Sequence, residues 1–165
     1  MQTGARYQAV LDLITEIFKD KFPADNIIND YLRERKYIGA GDRRFITDTV
    51  WRLIRSRRKL EFDAGSREPR KILLASLKDE DLDLIFGAGE YAPAPLSKEE
   101  KIWLKNFNEE VYPPDVEAEC PAWLFDKVKD PALLKSLNQP ANADLRINVA
   151  DRQEVIRRLR GEGLF

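Results

Sequence analysis

The chain has 165 residues, 43% of them hydrophobic and 35% charged, with a formal net charge of −1, one cysteine and no histidine. That length supports one well-formed core burying roughly 70% of the unfolded surface, or one core and the start of a second. A single cysteine excludes an internal disulfide framework. The absence of histidine removes the usual zinc sites and the Cys-His and Ser-His catalytic pairs, so no metal is expected.

Charge interrupts the N-terminus MQTGARYQAVLDL before a signal-like run forms, and no stretch approaches the roughly 18 apolar residues of a membrane span. The chain reads as cytoplasmic, without a membrane partner. Tyr7, Val10, Leu11, Ile14, Ile17, Phe18 and Phe22 recur every three or four residues and predict an amphipathic helix over about 3–22, ended by Pro23. Ile27, Ile28, Tyr31 and Leu32 repeat the pattern over about 25–36. The glycines of KYIGAGD then supply a turn.

The next stretch, GDRRFITDTVWRLIRSRRKL (41–60), holds seven basic and two acidic residues. Its charge of +5 in a chain of −1 leaves −6 for the other residues. It predicts a third helix with Asp42 as its N-cap. At about 100° per residue, Ile46, Thr49, Val50, Leu53 and Leu60 share one side. Arg44, Asp48, Trp51, Arg52, Arg55, Arg58 and Lys59 share the other. Arg57 falls toward the apolar side, where it either salt-bridges or reaches solvent along its stem.

Pro69 suits the first turn of a fourth helix through Leu77. The charge then reverses: residues 79–119 hold twelve acidic and three basic side chains. GAGEYAPAP and YPPD mark an irregular linker over about 79–120. Within it, Ser97 and Glu100 form a capping box for a helix carrying Ile102, Trp103 and Phe107. Short helices are expected over 123–129 and 132–137. ADLRINV then alternates like a strand before DRQEVIRRLRGEG, which reads as a capped helix. One strand makes no sheet, so its partners are expected from sequence beyond this chain.

Candidate chemistry is sparse, and no catalytic, cofactor-binding or metal-ligating residue is assigned. Gly87 and Gly89 open like a dinucleotide fingerprint, but no third glycine follows and prolines stand where a helix should start. Cys120 lacks a neighbouring base and reads as a small half-buried residue before a proline-initiated helix. Asp81 and Asp83 lie in a solvated acidic run. The basic stripe, continued by Arg33, Arg35 and Lys36, can pair with successive phosphates or can simply face water. Trp51 within it either stacks on a base or buries against a neighbouring helix.

YIGAGDRR (37–44), YAPAPLSKEE (91–100), ECPAWL (119–124) and LRINVADRQEVIRRLRGEG (145–163), in that order, resemble the N-terminal half of bacterial Sun/Nop-type RNA methyltransferases. The resemblance implies an enzyme that transfers methyl from S-adenosylmethionine to carbon 5 of cytosine in RNA, typically ribosomal. It implies a mainly α chain: a NusB-like helical RNA-binding bundle over about 1–138, then, over 139–165, the first strand and helix of a small α/β domain. A catalytic domain carrying the cofactor loop and two catalytic cysteines would follow outside this chain, as a partner of the bundle. Leu145, Arg146 and Asn148 match the family's L-R-x-N element, and Asp42, Arg43 and Arg44 its D-R-R. A lysine common after that asparagine is missing here. The expected RNA contacts are therefore Arg33, Arg35, Lys36, Arg43, Arg44, Arg52, Arg55, Arg58, Lys59, Arg146 and Asn148. The rival reading is a protein-interaction adaptor without RNA binding, its arginines solvated or facing acidic side chains.

Overall fold

The computed structural model describes residues 1–107, 111–140 and 151–161, and it is mainly helical, with no strand among those residues. The predicted strand at 145–149 lies outside the described residues. Helix α1 (Thr3–Ile17) packs on α3 (Ala40–Arg55), with α2 (Ala24–Glu34) and α5 (Pro69–Ser76) against it, and α4 (Arg57–Ala64) packs on α5. Val10, Leu13, Ile14, Ile46, Val50, Leu53, Ile72, Leu73 and Leu74 are fully buried where these helices meet. Each such side chain contributes roughly 1.5–3 kcal/mol on burial, and in α1 and α3 the three- or four-residue spacing turns them to one face, whereas Ile72, Leu73 and Leu74 are consecutive and α5 is buried on more than one side.

The first helix is shorter than its periodicity predicts. It ends at Ile17, the chain turns through Asp20 at φ 54°, and Phe22 is left 65% exposed instead of joining the apolar face. Helix α2 likewise closes at Glu34, which puts Arg35 in its C-cap and Lys36 in the turn.

The expected helix over 41–60 is two helices. Ser56 turns its hydroxyl onto the Arg52 carbonyl at 2.9 Å and sits at φ −100°, ψ 15°, which ends α3 and starts α4. Serine bonding back to the preceding turn is a known cause of such a break. Asp42 does not cap α3 either. The N-cap is Gly39, and Asp42, inside the first turn, accepts from the Met1 ammonium at 2.9 Å and Arg6 Nε at 2.6 Å. The hydrogen bond from the chain's amino terminus, with Arg6 in support, lowers its pKa.

The region after α5 is a wrapped loop with short helices: a 3-10 turn (Leu82–Leu84), α6 (Lys98–Lys105) and α7 (Pro114–Glu117), the last of which no pattern in the sequence predicts. The Ser97–Glu100 capping box is present. Arg70 binds the Glu100 carboxylate through Nε at 2.7 Å and the Ala94 carbonyl through Nη2 at 2.8 Å, fastening this loop to α5. Gly87, at φ 72°, donates to the Pro93 carbonyl at 2.7 Å, so GAGEYAPAP folds on itself as part of that wrap.

Helices α8 (Ala122–Val128) and α9 (Pro131–Leu137) follow the expected segments, and together they bury a small second cluster of Ala118, Cys120 and Leu134. Cys120 is 3% exposed, more deeply buried than the half-buried position read from the sequence, because Leu134 of α9 closes over it. Helix α10 (Arg152–Gly161) begins after Asp151, whose carboxylate accepts the Gln153 N–H at 2.6 Å.

Candidate nucleic-acid interface

The break at Ser56 divides the basic stripe into parts with different surroundings. Along α3, Arg44, Asp48, Trp51 and Arg55 recur at four-, three- and four-residue steps on the side away from Ile46, Val50 and Leu53, with Arg52 at the edge of that face. Arg44 and Arg52 are exposed and Arg55 is half-buried. Among the described residues their guanidinium groups make no hydrogen bond or ion pair. Trp51 is half-buried and packs against the core, which leaves the arginines and the exposed Asp48 as the outward groups.

At the corner between α2 and α3 the expected contacts are mostly committed to the fold. Arg43 donates through Nε to the Ile38 carbonyl at 2.8 Å and through Nη2 to the Arg35 carbonyl at 3.2 Å, so it ties the turn. Arg35 lies 3.7 Å from the centroid of the Tyr31 ring and donates to the Tyr31 carbonyl. Arg33 pairs with Asp30 at 2.8 Å while remaining well exposed. Such an exposed pair contributes little and is readily exchanged for another anion. Lys36 is exposed, with no ion pair among the described residues.

On α4 the stripe is covered. Arg58 Nη2 meets Asp115 Oδ2 at 2.6 Å, and Lys59 Nζ meets Glu117 Oε2 at 3.1 Å. Glu119 accepts the backbone N–H groups of Arg58 and Lys59 at 3.0 and 3.1 Å. Burial pushes the Glu119 carboxyl up, and those two N–H bonds only partly offset it. Glu117 is held below the usual range by its bonds from Lys135 and then Lys59. Arg57 takes the salt-bridging option, pairing with Glu61 at 2.7 Å and Asp20 at 3.3 Å over the Phe18 ring.

Of the expected contacts, then, Arg44, Arg52 and Arg55 share one open face. Arg58 and Lys59 lie together beneath carboxylates, and Arg35 and Arg43 serve the fold. Arg146 and Asn148 lie outside the described residues. The sequence reading singles out Asp81 and Asp83 as solvated and does not single out Asp115, Glu117 and Glu119 of the same acidic region. Their alternate spacing, in a region with charge opposite to the 41–60 stretch, is the signal that could have found them. Also unforeseen are the exposed Arg152, Arg157, Arg158 and Arg160 of α10.

No helix among the described residues is long and apolar enough to cross a membrane, and no group of three or more His, Cys, Asp or Glu among them could hold a metal ion. No family model, curated protein or solved structure matches the chain.

Proposed function

We propose that the helical body binds RNA through phosphate contacts from α3, as the noncatalytic N-terminal part of an S-adenosylmethionine-dependent RNA cytosine-5 methyltransferase of the Sun/Nop type. The observation that carries the RNA reading is the set of Arg44, Arg52 and Arg55, left without anionic partners among the described residues on one helical face. Other arginines nearby are paired with carboxylates or carbonyls. Guanidinium groups kept out of the intramolecular ion-pair network are available to phosphate oxygens, which they bind in forked, charge-assisted geometry.

Contacts of this kind set position and affinity but read no base directly. The choice of cytosine would rest with the catalytic domain, which would also bring the adenosylmethionine loop and the nucleophilic cysteine. In this reading the bundle is NusB-like over about 1–138, residues 139–165 open the small α/β domain, the RNA is ribosomal and the protein is cytoplasmic. Adenosylmethionine is accordingly expected to give no heat of binding when titrated into this chain alone. Stoichiometric binding at micromolar ligand would contradict a separate catalytic half.

A protein-interaction adaptor is the second reading, and the exposed apolar side chains Trp123 and Leu137, at 63% and 73%, favour it. The salt dependence of binding separates the two. Phosphate contacts release counterions and give a steep slope, whereas an apolar protein interface does not.

A further inference from the structure

The five residues from Asp115 to Glu119 place three carboxylates on the amino end of α4 and on two of its cations, Arg58 and Lys59. These are the cations with which the basic stretch continues from α3 into α4, past the break at Ser56. We propose that this acidic strap is an intramolecular stand-in for an RNA phosphate backbone, autoinhibitory toward α4, and that RNA displaces it to reach Arg58 and Lys59. The proposal rests on the RNA-binding reading above and concerns the regulation of the same surface.

Three features support a displaceable strap. The first is chemical equivalence: Asp115, Glu117 and Glu119 offer anionic oxygens to a guanidinium, an ammonium and two helix N–H groups, all of which also bind phosphate. The second is incomplete satisfaction. Asp115 engages Arg58 through Nη2 alone, and Arg58 Nε is buried without a hydrogen-bond partner. A phosphate reaching the same guanidinium side-on can serve Nε and Nη2 together.

The third feature is how the strap is held. Its own cluster buries only Ala118, Cys120 and Leu134, with Leu124, Phe125 and Val128 around them. Its attachments to α3, α4 and their junction include the ion pairs of Arg58 and Lys59, the hydroxyl of Tyr112 on Asp63 at 2.9 Å and the side-chain amide of Asn138 on the Arg55 carbonyl at 2.6 Å. Partly exposed ionic attachments weaken with salt and compete poorly with a polyanion. Lys135, which pairs with Glu117 at 2.7 Å, belongs to the strap's side and would leave with it.

The test measures binding of a mixed-sequence RNA hairpin over a salt series to the unaltered chain, to D115N/E117Q, which keeps the Glu119 cap, and to R44E/R52E. The expected result is that D115N/E117Q binds at least about tenfold more tightly at low salt, an advantage that shrinks as salt weakens the strap's ion pairs in the unaltered chain.

If R44E/R52E loses RNA while D115N/E117Q binds no more tightly, the strap is structural only and the α3 reading stands. If R44E/R52E keeps full affinity while D115N/E117Q gains, the strap is upheld and the α3 reading fails. Absence of RNA binding by every variant overturns both.

Discussion

Glu119 lies 60 residues along the chain from Lys59, yet it accepts that residue's backbone N–H at 3.1 Å while its other oxygen takes the N–H of Arg58 at 3.0 Å. Helix α4 starts at Ser56 with no cap from its own side chain, so a remote carboxylate supplies the missing acceptor.

Glu119→Ala should therefore lower stability by about 1 kcal/mol, the usual cost of losing a cap, in a denaturant titration. The pH dependence has a definite sign. Burial raises the folded pKa above its ordinary 4.5, so the folded state holds more protons than the unfolded one just above that pH. The stability of the unaltered chain relative to Glu119→Gln should thus fall as pH rises from about 4.5 through the raised folded value. A difference that grows with pH across that window would contradict the assignment.

Glu100 should behave in the opposite way. The hydrogen bond from Arg70 holds its carboxyl below 4.5 against the effect of burial. The stability it contributes is present above that pH and lost as pH falls through the lower folded value, and Glu100→Gln should remove this part of the acid sensitivity. With side chains 21% and 13% exposed, the pair is well shielded. Arg70→Met, which strands the carboxylate and the Ala94 carbonyl, should cost roughly 2 kcal/mol in thermal or chemical denaturation.

Gly4 explains how closely α1 meets the wrapped loop. A Cβ there would lie 2.6 Å from Ala92 Cβ and 3.0 Å from the Ile85 carbonyl oxygen. Alanine ordinarily favours a helix over glycine by about 1 kcal/mol, but overpacking costs about 1–3 kcal/mol. Gly4→Ala should consequently fail to stabilise the chain and should lower its melting temperature. A rise would show that the loop yields without cost.

Local patterns carried much of the helical architecture. The three- and four-residue repeats of α1 and α2, the capping box at Ser97 and Glu100 and the proline at the start of α5 all act within a few residues of where they are read. The division of 41–60 was less legible, because Ser56 gives no strong breaker signal and stops α3 by a bond to its own backbone. The wider site escaped for a different reason. Whether Arg58 and Lys59 face water or carboxylates depends on Asp115, Glu117 and Glu119. Asp115 and Glu119 stand 57 and 61 residues beyond Arg58, and no periodicity links groups so far apart. Asp42 shows the same limit: its residue type suited a cap, but the Met1 ammonium and Arg6 took its oxygens.

The most direct test of RNA binding through α3 is the affinity and salt slope of R44E/R52E for a structured RNA. Both positions are exposed and unpaired among the described residues, so the variant should keep its fold within about 0.5 kcal/mol. It should bind about tenfold or more weakly, to a similar degree for unrelated RNA sequences, with the slope of log affinity against log salt reduced by roughly 0.7–0.9 for each phosphate that the variant no longer neutralises. Unchanged affinity and slope in the folded variant would contradict RNA binding through α3.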